Sequence, residues 1–298
     1  MTKTKIVKIK GGLGNQMFQF AFGKTLEKMF GTKVLYDITT HYVNESHDIQ
    51  KRGYCLDIFN LDIDFATEEQ SLACIGPKTK IPGFIRNLFH LRKFKNKIDE
   101  HGYCKFHPEF LKDFDTVYYE GYFQNEKYFK DIASYIKEQF TFPEFKDEYN
   151  KTTYEKIKNC ENAVFIHVRR SDYKACDQLD ISFYQQAVKY IQEKVENPTF
   201  FVFGAECPDY IKNEFNIGCE FEFVGEQNTA PENHYEDMRL MTASKHGIMA
   251  NSSYSWWGAW LGEDSDDRII IAPTPWLQGK DDVICDNWIK IKNRNWGL

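Results

Sequence analysis

Apolar positions along the chain keep two different periods, and each period marks a type of element. The stretch "KIVKIK" (5–10) reads as a strand, "GGLGNQ" (11–16) as a turn, and 15–30 as a helix whose Phe18, Phe22, Leu26 and Met29 share one face. "KVLYDI" (33–38) reads as the next strand, which completes a β-loop-α-β unit. Residues 40–115 are irregular, punctuated by Gly, Pro and polar residues; "VYYEGYF" (117–123) then predicts a strand and 126–139 a helix. Beyond "FTFPEFKDEYNKT" (140–152), taken as the linker, the alternation becomes regular. A helix over 147–160 can belong to either side of it. Strands are expected at 163–168, 199–203, 220–224, 247–250 and 268–272, with helical patterns between them. In 183–196, for example, Tyr184, Val188, Ile191 and Val195 fall on one face. Strands alternating with helices imply an α/β chain with parallel sheets. Two domains are expected, 1–145 and 146–298.

Composition narrows the function. The chain has 298 residues, 42% hydrophobic and 28% charged, which suits a soluble globular protein. A net charge of −6 argues against non-specific nucleic-acid binding, so any anion site must be local. The N-terminal "MTKTKIVKIKGGLGNQ" lacks the apolar stretch of a secretory signal, and no segment approaches the roughly 20 apolar residues of a membrane span. Eight cysteines without a CxxC pair suggest reduced thiols and a cytoplasmic setting.

The chemistry concentrates at strand ends. "HVRRSDY" (167–173) closes a predicted strand, where parallel sheets bind ligands. Guanidinium forks bind phosphate bidentately and stay charged, so a diphosphate is a natural occupant; a simple Asp172–arginine pair is the alternative. "ANSSYSWWGAW" (250–260) follows another strand, with N-cap residues ahead of an aromatic helix. Its terminus is an anion site or merely a capped helix with Trp256 and Trp257 on the core face. "GGLGNQ" supplies Gly12 and Gly14, but Met17 stands where a dinucleotide fingerprint needs its third glycine. Asp37, ending the second strand, keeps a nicotinamide or flavin enzyme open; otherwise the turn brings Asn15 and Gln16 into a cleft. No metal is expected, since pairs such as Asp62/Asp64 and Asp113/Asp115 read as solvated carboxylates. His41, His47, His90, His101 and His107 show no ligand spacing.

"GGLGNQMFQFAFG", "VFIHVRRSDY", "DMRLMTASKHGIMANSSYSWWGAWL" and "IIAPTPW", in that order, closely resemble the bacterial α-1,2-fucosyltransferases, over residues 6 to 276. The resemblance implies a GT-B-like fold, two Rossmann-like lobes facing a cleft, with 1–145 on the acceptor side and 146–298 binding GDP-β-L-fucose. It implies inverting transfer to the 2-hydroxyl of a terminal β-galactoside, in oligosaccharide or O-antigen biosynthesis, with no required metal or other cofactor. By that resemblance His167 lies near guanine or ribose, Arg169 holds the β-phosphate, and Asn251, Ser252, Ser253 and Tyr254 meet the diphosphate. Asp237 would read guanine, and Asn15 with Gly12 and Gly14 would face the donor from the other lobe. Ser171 stands where glycine is common, and "GAECPD" (204–209) where serine and acidic residues are common.

Arg169, Asn15 and Asp172 are the catalytic candidates, while the acceptor proton has Asp172, Asp177 or Glu120 as its possible base. Residues 76–98 carry seven Lys/Arg and no acid, interleaved with Phe84, Ile85, Leu88 and Phe89. That is a solvated basic face or a peripheral contact with anionic inner-membrane lipid. A nucleotide-cofactor oxidoreductase and a non-catalytic nucleotide- or glycan-binding protein are the rival functions.

Overall fold

The computed structural model describes residues 3–39, 53–77, 80–82, 85, 88–89, 93–102, 104–170, 178–277 and 281–293. The chain divides into two compact units, Met1–Thr141 and Phe142–Leu298, a boundary slightly ahead of the one expected from the linker pattern.

In the first unit β1 (Thr4–Lys8) runs into α1 (Leu13–Phe30) and then β2 (Val34–Asp37). After these come β3 (Asp64–Phe65), α2 (Glu68–Ile75), β4 (Lys97–Asp99) and β5 (Thr116–Glu120), and α3 (Ala133–Gln139) closes the unit. The five strands are parallel in the order β3-β2-β1-β5-β4. β1 is central, and Ile6 and Val7 are fully buried. α1 is buried almost all round from Leu13 to Leu26, so its apolar face is wider than the four-residue stripe expected. Met29, expected on that stripe, is instead 52% exposed because it lies in the last turn, past the sheet. Gly23 lets the helix approach β2: a Cβ there would meet the Tyr36 hydroxyl at 2.4 Å, and that hydroxyl donates to the Phe20 carbonyl.

The interval 40–115 is not simply irregular, for it contributes β3, α2 and β4. α2 carries a complete capping box, with Thr67 and Gln70 each bonding the other's backbone N–H.

The second unit alternates throughout. It comprises α4 (Glu148–Asn159), β6 (Ala163–His167), α5 (Ile181–Lys194), β7 (Thr199–Phe203), α6 (Pro208–Asn213), β8 (Glu222–Phe223), α7 (Glu236–Thr242), β9 (His246–Ile248), α8 (Ser253–Leu261), β10 (Ile270–Thr274) and β11 (Ile289–Lys292). Its six parallel strands are ordered β11-β10-β9-β6-β7-β8. Both faces of β6 are buried, from Ala163 to His167, as a parallel sheet covered by helices requires. On one face Val164 and Ile166 pack with Phe183, Ala187 and Ile191 of α5. α8 stacks Trp256 and Trp260 at 5.9 Å between ring centroids, and Trp256 donates its indole N–H to the Val283 carbonyl. Among the described residues no helix is long and apolar enough to cross a membrane.

Candidate active site

The strand order of the second sheet assembles this site. β9, β6 and β7 are neighbours and all parallel, so the segments leaving their carboxyl ends emerge side by side. Those segments are Asn251–Tyr254, His167–Arg170 and Gly204–Glu206. Arg169 Nη1 donates to Ser252 Oγ at 2.9 Å, which joins the first two segments. Its Nε lies 3.8 Å from Glu206 Oε1, which brings in the third.

Ser252 is the N-cap of α8 and accepts from the Tyr254 N–H at 3.3 Å. Its oxygen therefore accepts from both the guanidinium and the helix, leaving its own proton to donate. Asn251 and Ser252 are buried, while Ser253 and Tyr254 are half-buried. The Tyr254 hydroxyl accepts from the Met238 N–H at 2.8 Å, tying α8 to α7, and its ring lies 5.9 Å from that of His167. His167 is itself buried, and its carbonyl accepts from the Tyr184 hydroxyl at 3.1 Å.

Asp237, near the start of α7, is 8% exposed. Burial pushes its carboxyl up to about 7; the Asn228 amide opposes the shift, and the charges of Glu206 and Glu236 add to it. Asn228 donates to Oδ1 at 2.8 Å and is itself locked to Asn150 by a reciprocal amide pair. Around the other oxygen Gly225 leaves room: a Cβ there would sit 2.7 Å from Oδ2 and 3.2 Å from the Gly204 N–H nitrogen. The Asp237 carboxyl and the Gly204 backbone thus border one space that a side chain at 225 would fill.

Among the described residues Arg170 pairs with no acid; it lies over the Tyr210 ring, Cζ 3.8 Å from the centroid. The acid stands beside Arg169 instead. Asp172 and Asp177 lie outside the described residues.

The sequence-predicted residues of the first unit form their own cluster. Gly12, extended at φ −80°, caps α1, and its carbonyl accepts from Asn15 and Gln16. Gly14 is buried in the first turn. Gly11, at φ 80°, would drive a Cβ to 2.5 Å from Asn15 Nδ2. Asn15 is half-buried and accepts from Gln124 Nε2 at 2.6 Å. Gln16 does not enter a cleft. It is fully buried, donating to the Gly11 and Gly53 carbonyls and accepting from the Cys55 N–H.

Asp37 does not offer a free acid to a ribose, since Thr39 and the Tyr118 hydroxyl occupy its buried carboxylate. Glu120 is a poor base. Burial alone would raise its pKa, but Lys97 at 2.6 Å and Lys8 at 3.0 Å bring it down to about 2. Lys97 also meets Asp99 at 2.7 Å, so this member of the basic segment 76–98 is paired rather than solvated.

Reasoning from sequence missed Glu206, Asn228 and Gly225. Glu206 follows the end of β7 and carried a positional signal; the other two sit in a 3₁₀ turn, Gly225–Asn228, that has none. It also missed that His101, His107 and Glu109 come together, their ligand atoms within 4.8 Å of one another.

Two parallel-sheet α/β units define the GT-B class of glycosyltransferase folds, and the structure of Arabidopsis thaliana FUT1 in complex with GDP is similar. Its TM-score is 0.52, at 11% identity, covering 93% of this chain and 72% of that one. The chain belongs to glycosyl transferase family 11, whose family model matches residues 4–292. It is 30% identical to an Escherichia coli alpha-1,2-colitosyltransferase, over 96% of this chain and 98% of the relative. It is also 30% identical to the Escherichia coli O-antigen biosynthesis glycosyltransferase WbnK, over 95% and 99% respectively.

Proposed function

We propose that this glycosyltransferase moves L-fucose from GDP-β-L-fucose to the 2-hydroxyl of a terminal β-galactoside, with inversion and without a required metal. The observation that carries the reading is the join between Arg169 and the N-cap of α8 across adjacent strand ends. As GDP departs, negative charge grows on the β-phosphate oxygen. A guanidinium and a helix terminus fixed beforehand stabilise that charge more than the ground state. Arg169 would grip the phosphate, with Ser252, Ser253, Tyr254 and Asn251 around the diphosphate and His167 toward the nucleoside. Ionised Asp237 would accept the two adjacent N–H groups of guanine.

Incubation of the purified protein with GDP-fucose and a panel of β-galactosides, followed by linkage analysis, tests this. An α-1,2-fucosylated product that still forms in EDTA is expected. No fucosyl transfer to any β-galactoside, or activity lost in EDTA and restored by Mn²⁺, overturns it. A second donor is favoured by the colitosyltransferase relative. Colitose is L-fucose lacking its 3-hydroxyl, so the same phosphate and base contacts serve both. Competition between GDP-fucose and GDP-colitose for one acceptor decides between them.

A further inference from the structure

The first unit holds a cluster that the donor chemistry does not use. Beyond β4 the chain doubles back through two left-handed residues, Gly102 at φ 72° and Cys104 at φ 62°. The turn folds His107 against His101, ring centroids 4.5 Å apart. The short 3₁₀ turn Pro108–Phe110 then places Glu109 Oε1 3.0 Å from His107 Nδ1.

His107 is built in. It is 5% exposed, its ring stacks on Phe110 at 4.8 Å, and its backbone N–H donates to the Tyr128 hydroxyl at 2.9 Å. His101 and Glu109 are exposed. A histidine–carboxylate pair accounts for Nδ1 of His107, but two buried atoms stay without a hydrogen-bond partner: Nε2 of His107 and Oε1 of Glu100. Glu100 is otherwise held by the Tyr122 and Phe123 N–H groups. A cation on Nδ1 fixes the ring proton on Nε2, and a buried carboxylate near a ligating imidazole is the usual outer-shell arrangement.

We propose that His101, His107 and Glu109 form a binding site for a divalent transition-metal cation of the zinc type, with a fourth position open to solvent. Two imidazoles and one carboxylate suit zinc, whereas magnesium and calcium prefer an all-oxygen set. Tetrahedral ligands at about 2.0–2.2 Å stand closer together than 4.8 Å, so His101 and Glu109, both exposed, swing in on the rigid His107. Cys104 Sγ, which donates to Gln124 Oε1 at 3.3 Å, ties the same loop to the segment after β5. This site is independent of the donor assignment, and no step of transfer runs through it.

The test uses untagged full-length protein, stripped with EDTA and desalted, then titrated with ZnCl₂ by calorimetry and with Co²⁺ by absorption. One tight Zn²⁺ equivalent is expected, with no heat from Mg²⁺. His101→Ala and Glu109→Gln, chosen because both positions are exposed, should each weaken it by more than the roughly 10-fold that losing an outer-shell partner costs. Circular dichroism confirms that the variants fold. Absence of Zn²⁺ binding, equal affinity in the His101→Ala/Glu109→Gln double variant, or an intense thiolate band with Co²⁺ overturns the proposal.

Discussion

The carboxyl ends of the two sheets treat charge in opposite ways. At the first, Glu120 is held by Lys8, Lys10 and Lys97, and Asp37 by Thr39 and Tyr118. At the second, Asp237 is buried with an amide donor from Asn228, and its pKa rises to about 7. Arg169 donates to the Ser252 hydroxyl at 2.9 Å, and its Nε lies 3.8 Å from Glu206 Oε1. Lysines hold the Glu120 carboxyl low, whereas burial makes the Asp237 carboxyl keep its proton more tightly. One parallel sheet thus ends on carboxylates held by lysines and hydroxyls, and the other beside a buried acid bonded to an amide.

The contrast breaks most visibly at Arg169. Arg169→Lys keeps the charge but loses the planar fork, so kcat should fall by about 10²–10³-fold, more than donor affinity does. A near-normal kcat would mean that Arg169, like Glu120, belongs to the scaffold. Gln16→Ala probes the first unit. It strips partners from the Gly11 and Gly53 carbonyls and the Cys55 N–H, so about 3 kcal/mol of stability should be lost. A Tm unchanged by the substitution would show that the glycine turn holds itself.

Asp237→Asn should raise the donor KM about 10–100-fold, the equivalent of roughly 1.5–3 kcal/mol, because an amide cannot accept two N–H groups as a carboxylate does. Its stability should move the other way. A folded pKa near 7 against an unfolded value near 3.8 means that the folded state binds the extra proton. Wild-type stability is then greatest below the unfolded value and is lost as pH rises through about 7. Asp237→Asn should flatten that loss, while GDP affinity of the wild type should increase over the same interval. Melting curves and GDP titrations from pH 5 to pH 8 check both trends together. The smallest effect belongs to Arg170→Lys. Loss of the stack on Tyr210 should cost about 0.5–1 kcal/mol of stability and leave kcat within a few-fold of wild type.

What could be read from sequence followed the strength of burial. β6, β7, β9 and β10 are interior strands, and their apolar runs announced them. β3, β4 and β11, which went unseen, are edge strands: "DF", "KID" and "IKIK" are short or polar because one side of each is open. α2 was legible after all, through the capping-box spacing of Thr67 and Gln70. In the site, Arg169 and Ser252 were visible because each follows an apolar run directly. Asn228 and Gly225 were not, because their role depends on a turn brought against α7 from a distant position on the sheet. His101 and His107 escaped because neither helix nor strand spacing joins them; a left-handed loop does.

One consequence of the aromatic helix α8 is spectroscopic. All six tryptophans of the chain fall between residues 256 and 296, and the first unit has none. Emission excited at long wavelength is therefore a one-sided signal, blind to events confined to Met1–Thr141. Trp256, Trp257 and Trp260 ride on the helix whose first turn would receive the diphosphate, with Trp288 against Trp256 at 5.4 Å. Tryptophan emission can thus follow both donor occupancy and melting of the second unit, and set beside far-ultraviolet dichroism it tells whether the two units unfold together or one before the other.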